Sequence, residues 1–451
     1  MSTGLDNRAL ATWTPCCHRT GHRRGGLDRE DARTVGKQNR RRRTGRKAVP
    51  GPTLDAAALS NDPARIAEAI ATAAVISTQG DRIGVRKLIN HLADSGRPAP
   101  EVAEAVQMAS SRLVAQAFEF GWLPMDVHQA ARRRVDNFAV AYLTDVMANH
   151  CAPFAPESID ETWQEQLDGL AATCWWDTER EHLTQWADRA LLTGHEALAS
   201  VVAALALLIQ LPKLGLIRPL PGTARTHTSH HVVDEKTLGR VRGLLAKAES
   251  TTFGEEAESL SAKAQELMTK YAIDRVLLEA STAAADLPAA RRIWLDTPYT
   301  EAKALLIDMV TRANRCRAIF VSDWGFVTVV GDETDLDAVE LLTTSLLVQA
   351  TRTMIDTAAD SEESRSRAYR KAFLTAYATR IGERLAAAAE ATIAESDPAQ
   401  LLPILASHQQ QVDRAFDTYF PTVRTRGITI RSAEGWDAGT QAADRAHFGN
   451  H

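Results

Sequence analysis

Two short apolar runs, Arg317-Ala-Ile-Phe-Val321 and Phe326-Val-Thr-Val-Val330, decide the fold class of this 451-residue chain. Both are rich in β-branched and aromatic residues, and the four residues between them, Ser322-Asp-Trp-Gly325, are typical of a β-hairpin loop. Nearly everywhere else, apolar residues recur at helical spacing. The sequence therefore predicts a mainly α protein in which residues 293–451 form an α-rich α+β domain with a small antiparallel sheet.

Helices are predicted on both sides of this β-hairpin. Residues 301–314 are amphipathic, and Gly331-Asp-Glu-Thr334 leads into a long helix over residues 335–358. Further helices are predicted over residues 365–394, 399–419 and 433–447, with a late strand over residues 427–431.

An αα-hairpin is predicted upstream, over residues 234–280. Apolar residues fall on one stripe of each of its two helices, so the stripes can cover each other. Segments rich in Pro, Gly, Thr and Ala flank the hairpin and predict linkers over residues 218–233 and 281–292. The first stripe is Leu238, Val241, Leu245 and Ala248; the second is Ala257, Leu260, Ala264, Leu267 and Tyr271.

Residues 54–217 predict an N-terminal helical bundle of about seven helices. Asn61-Asp62-Pro63 is typical of a helix start, because a cap residue precedes Pro in the first turn. The run at 197–211 is strongly apolar, but a membrane span needs about 20 such residues, so we expect a buried core helix and no membrane partner. Trp175, Trp176 and Trp186 are expected in the bundle core. The other helices are predicted over residues 101–120, 125–147, 160–174 and 177–192.

The net charge of −5 hides an uneven distribution. Residues 1–53 hold 13 Lys and Arg against 4 Asp and Glu, whereas the remaining residues hold 39 against 53. Because so charged a segment cannot bury enough apolar surface to offset its chain entropy, we expect a disordered basic arm. Clustered cations neutralise phosphates and release counterions, so the candidate nucleic-acid-binding residues are Arg40, Arg41, Arg42, Arg43, Arg46 and Lys47. A solubilising tail and a start codon placed too far upstream remain open alternatives.

The cysteines and the N-terminus indicate a compartment. Five cysteines are scattered without paired spacing, which argues against a disulfide framework and for a reducing environment. The first residues contain no apolar stretch typical of a secretory signal. We therefore expect a cytoplasmic protein.

The αα-hairpin contains two linked motifs. Its first helix ends in Leu244-Leu-Ala-Lys-Ala-Glu-Ser250, and its second contains Lys263-Ala-Gln-Glu-Leu-Met268 followed by Lys270-Tyr271. In these blocks and their spacing the hairpin resembles the bacterial and phage family called domain of unknown function 2786. Later segments, such as Ala313-Asn-Arg-Cys-Arg317 and Gly435-Trp-Asp-Ala-Gly439, are similar to the companion domain often found in actinobacterial members. The resemblance implies no catalytic residue, and by analogy alone it suggests DNA-associated or regulatory work.

Signatures of the easily recognised enzyme classes are missing from the sequence. It contains no G-x-x-x-x-G-K-[ST] phosphate loop, no H-E-x-x-H, no C-x-x-C and no G-x-S-x-G. These absences exclude the familiar NTPases, zincins, zinc ribbons and α/β-hydrolases, and we expect no cofactor.

Two groups of side chains have metal-ligand character. His227, His230 and His231 could converge on zinc or copper, but they lie in a predicted linker without a rigid second shell, which favours solvated histidines. An acidic group could bind a divalent cation, but it lies at a predicted helix start, where capping and the helix dipole also favour acids. This acidic group consists of Asp332, Glu333, Asp335 and Asp337.

Two further segments are basic. The first helix of the αα-hairpin presents Lys236, Arg240, Arg242 and Lys247, although the loop over residues 250–254 is longer than the turn of a typical helix-turn-helix reader. Residues 364–371 add a second patch in which Tyr369 could stack on a base. For that patch a solvated helix start is the preferred interpretation.

Three functional hypotheses follow. The preferred one is a non-enzymatic binding or regulatory protein that associates with nucleic acid through the basic arm. The second is a hydrolase or nuclease-like enzyme with a dispersed site in residues 293–451, in which Asp332, Asp335, Arg365 and Arg370 would meet in space. The third is a structural protein–protein interaction module whose platform is the helical bundle.

Overall fold

The computed structural model describes residues 10–12, 61–93, 98–223, 232–251, 254–279, 288–357, 365–395, 398–421, 424–425 and 432–445. Within these residues, fifteen α-helices surround one small sheet. The predicted class is confirmed: the protein is mainly α, with antiparallel strand pairs in its C-terminal region. Of the expected basic arm, the described part is Leu10–Thr12.

Eight α-helices within residues 63–210 form the N-terminal bundle. Helix α1 begins as the sequence predicts, because the Asp62 carboxylate accepts a hydrogen bond from the Ala64 N–H (3.1 Å) and Pro63 occupies the first turn. A 3-10 turn, Pro156–Ser158, precedes α6. The helices are α1 Pro63–Thr78, α2 Arg82–Leu92, α3 Pro100–Glu119, α4 Pro124–Arg134, α5 Asn137–Cys151, α6 Glu161–Gly169, α7 His182–Arg189 and α8 Gly194–Gln210.

Helix α8 lies in the middle of the bundle, packed by α1, α3 and α5. Ala197, Val201 and Leu205 are fully buried there, which confirms the expected core helix. Among the described residues, no single helix has the length and apolar composition needed to cross a membrane. Helices α7 and α8 meet both criteria only when they are taken together, and they are bent by 110° relative to each other.

The helix predicted over residues 125–147 is in fact two helices. Helix α4 ends at Arg134, and Asp136 caps α5 by accepting a hydrogen bond from the Ala139 N–H (2.9 Å). Continuous apolar spacing on both sides concealed this cap signal in the sequence. Helices α6 and α7 also end earlier than predicted, because Ala171 and Leu191 adopt left-handed φ values of 50° and 56° just beyond their ends, and α7 begins later than predicted, at His182.

Helices α9 (Val232–Ser250) and α10 (Gly254–Glu279) form the predicted αα-hairpin. Val241 and Leu245 on α9 share an apolar cluster with Ala264 on α10, as the stripes predict, and Met268, which the predicted stripe did not include, is buried with them while Leu267 is only partly buried. Residues 251–253 separate the two helices, so the connection is shorter than the sequence suggested. The remaining helices are α11 Thr300–Ala313, α12 Glu333–Thr357, α13 Arg367–Ala394, α14 Pro398–Tyr419 and α15 Ala433–Arg445.

The sheet has the strand order β2-β4-β3-β1-β5. Strands β3 (Arg317–Val321) and β4 (Phe326–Gly331) are the predicted β-hairpin, and Gly325 closes its turn with a φ of 77°, which glycine adopts without steric cost. Strand β2 (Ala289–Trp294) pairs antiparallel with β4, in a segment predicted to be linker. Strand β1 (Leu10–Thr12) pairs antiparallel with β3 and parallel with β5 (Arg424–Thr425). The late strand predicted over residues 427–431 lies outside the described residues.

Strands β3 and β4 are buried on both faces. One face, which includes Ile319, Val321 and Phe326, belongs to the apolar core of the N-terminal bundle. The other face, which includes Phe320 and Val327, packs with α11, α12 and α13. The sheet is therefore the middle layer between two helical layers.

An aromatic cluster and a buried ion pair join the bundle to the sheet. The Trp122 ring lies 5.2 Å from that of Trp324. The Asp126 carboxylate accepts hydrogen bonds from Arg292 Nη1 (2.6 Å) and Trp294 Nε1 (2.8 Å), and the Asp126 and Arg292 side chains are 5% and 3% exposed. The bundle and the sheet therefore share one continuous core.

Buried amides join the αα-hairpin to the other side of the sheet layer. The Gln265 Nε2 group donates to Asn314 Oδ1 (3.0 Å), and Asn314 Nδ2 donates back to Gln265 Oε1 (3.2 Å). Gln349 Nε2 donates to Ser261 Oγ (3.1 Å) between α12 and α10. Gln265 belongs to the second hairpin motif, so that motif residue fixes the hairpin on α11.

Candidate nucleic-acid interface

The outer side of α9 is a basic surface. Lys236, Arg240, Arg242 and Lys247 are all exposed, while Val241, Leu245 and Ala248 on the opposite side are buried. Lys247 Nζ lies 2.9 Å from Glu256 Oε1; among the described residues, the other three cations make no ion pair. We call these four side chains and the intervening exposed glycines the α9 basic face.

Two glycines lie on the α9 basic face in the interior of the helix. A Cβ atom at Gly239 or Gly243 would have no atom within 4 Å, so neither glycine is required by packing inside the chain. Glycine in a helix interior costs about 1 kcal/mol relative to alanine. Two such costs lie beside three cations that pair with none of the described residues, and this combination favours close approach by another molecule's backbone.

The end of the α9 basic face is tied to α12. Arg352 Nη1 donates to the Glu249 carbonyl oxygen (2.5 Å) near the C-terminus of α9. The cation is stabilised there by the carbonyl end of the helix dipole. The pairing of Thr251 Oγ1 with Glu256 Oε2 (2.7 Å) and the nearby Lys247 hold the Glu256 pKa below its usual value. Glu256, an acidic residue of the αα-hairpin, therefore already has partners near the connection between α9 and α10.

Most of the arm and the histidine cluster lie outside the described residues. This applies to Arg40, Arg41, Arg42, Arg43, Arg46 and Lys47 and to His227, His230 and His231. In the part of the chain that the structure describes, no three His, Cys, Asp or Glu side chains are arranged to hold a metal ion.

Arginines engage the acidic group at the start of α12. Glu333 contacts Arg218 (2.6 Å) and Arg291 (3.0 Å), and Asp337 contacts Arg291 (2.6 Å). Burial acts to raise the pKa of Glu333, but the two guanidiniums outweigh it and hold that pKa below its usual value. The group therefore serves as an ionic junction among the segment after α8, β2 and α12.

The residues of the enzyme hypothesis have separate local roles. The Asp332 carboxylate contacts His408 Nε2 on α14, and Asp335 is buried in α12. Arg365 is exposed before α13, whereas the Nε atom of Arg370 on that helix is buried.

The patch at residues 364–371 is not a stacking platform. Tyr369 is 5% exposed, so its ring cannot receive a base from solvent. Lys371 Nζ lies 2.5 Å from Glu301 Oε2 and is therefore paired. Ser366 is the N-cap of α13, and its Oγ accepts a hydrogen bond from the Tyr369 N–H (3.1 Å).

A second basic helix surface, on α2, went unnoticed in the sequence. Arg82, Arg86 and Lys87 are exposed and follow one another at helical spacing, which was the available signal. However, Ile83 between them is 71% exposed, and a Cβ atom at Gly84 would lie 2.7 Å from Asp81 Oδ2. Unlike α9, this helix combines its cations with an exposed apolar side chain and a glycine that lies against the side chains of Asp81 and Ile76.

The segment that contains the α9 basic face matches one family of known proteins. Residues 236–275 match the model of the family described as Protein of unknown function (DUF2786). The matched span begins at Lys236, the first cation of the α9 basic face, and includes Gln265. Searches of curated proteins and of solved structures gave no match.

Proposed function

We propose that this protein is a cytoplasmic nucleic-acid-binding protein with a regulatory role, and that the α9 basic face is its folded contact surface. The observation that carries the proposal is that Lys236, Arg240 and Arg242 are exposed, make no ion pair with any residue that the structure describes, and lie on one helix surface with two open glycines. Lys and Arg neutralise phosphates, and glycine permits a backbone to approach closely. The rest of the chain is acidic, so binding has to be local.

The short connection between α9 and α10 supports this surface. Helix α9 ends at Ser250 and α10 begins at Gly254, a spacing close to the three- or four-residue turn of helix-turn-helix proteins. The buried Gln265–Asn314 pair fixes the hairpin on its support, so that the α9 basic face is presented rigidly. The resemblance of later segments, such as Ala313–Arg317 and Gly435–Gly439, supports the further proposal that residues 293–451 are the companion domain of the hairpin, of the actinobacterial type.

The basic arm supplies additional phosphate contacts in this proposal. Arg40 to Arg43 add charge without sequence reading, and α9 fixes the orientation. The arm and α9 then act as two linked contacts on one nucleic acid, which strengthens binding beyond either alone.

The test is a salt titration of full-length protein with duplex and single-stranded oligonucleotides, starting at about 50 mM salt. Changing Lys236, Arg240 and Arg242 to Glu should weaken binding at least tenfold and reduce the slope of log K against log salt by about 3. The matched control changes Arg82, Arg86 and Lys87 on α2 to Glu. A second variant replaces Arg40, Arg41, Arg42 and Arg43 by Ser and leaves β1 unaltered.

Two results would contradict the proposal. One is an absence of binding by the unaltered protein at the lowest salt concentration. The other is an equal loss of binding from the α2 and α9 variants, which would indicate a non-specific effect of net charge.

A further inference from the structure

The exposed residues of α9 fall into two rows that run along the helix. At about 100° per residue, the members of each row lie within about 60° of one another around the helix axis. The first row consists of cations: Lys236, Arg240 and Lys247. The second row, beside it, consists of small residues: Gly239, Gly243 and Ala246. Arg242 lies on the far side of this small row, so cations border the small row on both sides.

The small row is a smooth strip on the outside of the αα-hairpin. A Cβ atom at Gly239 or Gly243 would have no atom within 4 Å, so no described side chain from α10 or α12 covers these positions. Val241 and Leu245 face the opposite way and are buried, which fixes α9 on its support. The outer side of α9 is therefore a convex surface on which another molecule can come close to the helix backbone.

This surface is poorly suited to single strands and to double-stranded RNA. Proteins that bind single strands stack the bases on aromatic side chains and follow the backbone in a groove. Helix α9 contains no Phe, Tyr or Trp, and its exposed side is convex. In double-stranded RNA the major groove is too deep and narrow for side chains to read. A ridge such as α9 therefore has no groove to enter in that nucleic acid.

The major groove of B-form DNA has the complementary shape and charge. It is about 12 Å wide and admits an α-helix, whose diameter with side chains is about 10–12 Å. Glycine and alanine reduce the diameter of α9 on the side of the small row, so the helix can lie deep in such a groove. Phosphates of the two strands border the major groove on both sides, as cations border the small row.

We infer that α9 lies in the major groove of double-stranded DNA, with its small row toward the base edges, an assignment that rests on the proposed function of the α9 basic face. Lys236 and Arg240 contact phosphates of one strand, and Arg242 contacts phosphates of the other. The nucleic acid bound by this surface is therefore B-form duplex DNA. Phosphate contacts on both walls of the groove fix the orientation of the helix.

Fluorescence anisotropy tests the assignment in the full-length chain with Arg40 to Arg43 changed to Ser, so that the basic arm does not obscure α9. The probes are a DNA duplex of about two helical turns, an RNA duplex of the same sequence and one DNA strand. The DNA duplex should bind at least tenfold more tightly than the other two. Gly243→Leu should weaken that binding tenfold or more, because the new side chain fills the small row.

Gly169→Leu is the matched control, and it should leave DNA binding unchanged. Gly169 is an exposed helical glycine of α6, and a Cβ atom there would also meet open space. Both variants should fold, since leucine has a higher helix propensity than glycine.

Methylation interference identifies the groove. Guanine N7 faces the major groove and adenine N3 the minor groove, so methyl groups at guanine N7 should block binding and those at adenine N3 should not. Equal binding of the three probes, equal binding by Gly243→Leu and Gly169→Leu, or interference at adenine N3 alone would overturn the assignment. The proposed function stands in those cases if changing Lys236, Arg240 and Arg242 to Glu still weakens binding. If that change has no effect, both are wrong.

Discussion

The two faces of the central sheet are held to their neighbours by different chemistry. On the bundle side, large aromatic rings from Trp122, Trp324 and Phe326 surround one buried ion pair. On the other side, aliphatic residues and the rings of Phe320, Phe373 and Tyr377 pack with buried amides, and Asp308 of α11 is buried. The charge of Asp126 is matched by Arg292, which is equally buried. The partner of Asp308 is Arg312, whose side chain is 47% exposed.

The difference shows that burial alone does not determine whether a carboxylate stabilises the fold. Asp126 receives hydrogen bonds from Arg292, Trp294 and the Leu123 N–H, so most of its lost hydration is replaced. Burial raises the pKa of Asp308 to about 6, and Arg312 opposes that rise only in part. The bundle side of the sheet therefore depends on both partners of the Asp126–Arg292 pair, whereas the charged form of Asp308 on the other side destabilises the fold at neutral pH.

The largest effect is expected from breaking the bundle-side pair. Asp126→Ala leaves the Arg292 charge buried and unpaired, which should lower the free energy of unfolding by about 3–5 kcal/mol. Asp296→Ala is the control, because Asp296 pairs with the adjacent Arg133 but is 90% exposed, so its loss should cost less than about 1 kcal/mol. Urea denaturation measures both. Equal effects from the two variants would refute the distinction.

The next effect concerns Asp308 and depends on pH. The folded-state pKa is above the ordinary 3.8, so the folded chain binds the proton more tightly, and stability from this group is lost as pH rises from about 4 to about 6. Asp308→Asn should raise the free energy of unfolding at pH 8 by about 2–3 kcal/mol. The gain should disappear near pH 4.

Denaturation of both proteins across this pH range checks the result. The exposed Asp168→Asn is a control that should show no such window. A constant difference between Asp308→Asn and the unaltered protein at every pH would rule out titration of Asp308 as its cause.

A smaller effect is expected at the hairpin junction. Gln265→Leu leaves the Asn314 amide buried without its partner and should cost about 1–2 kcal/mol. The double variant Gln265→Leu, Asn314→Leu removes both amides and should recover part of that loss. Chemical denaturation of these two variants and of the single variant Asn314→Leu measures the coupling. A double variant as unstable as the sum of the single changes would show that the amides do not act as a pair.

The smallest effect is on the exposed side of the hairpin. Gly239→Ala and Gly243→Ala should each raise the free energy of unfolding by up to about 1 kcal/mol, because alanine favours the helix and its Cβ meets open space. The same changes should weaken oligonucleotide binding if a backbone approaches this surface closely. Thermal unfolding and the salt titration measure the two effects. Greater stability with unchanged binding would leave the cations, and not the glycines, as the contact.

The parts of the fold that local chemistry determines could be predicted from the sequence. The β3–β4 hairpin is one, because β-formers flank a four-residue turn that contains Gly325; the two stripes of the αα-hairpin are another. Strand β2 was missed because Ala289-Ala-Arg-Arg-Ile-Trp294 has no alternating pattern and is stabilised by pairing with β4, more than thirty residues away. The break between α4 and α5 was missed although Asp136 signalled it.

The same distinction applies to the candidate sites. The cations of α9 could be found because they follow one another along a single helix. A small cleft of about 20 Å³ between α3, α5 and α7 could not, because its lining residues Gln107, Asn149 and His182 come from three helices and no spacing in the chain relates them. Trp176 and Trp186 were correctly placed in the bundle core, but their role beside His182 depends on tertiary packing.

The double coverage of β3 and β4 has a consequence for how the molecule opens. Their backbone amides can reach solvent only when a whole helical layer separates from the sheet, so their hydrogen exchange should require global unfolding. A fragment cut between α8 and α9 would leave one apolar sheet face without cover in the C-terminal piece. The bundle and the hairpin unit, distinct along the chain, are therefore expected to melt in one cooperative transition.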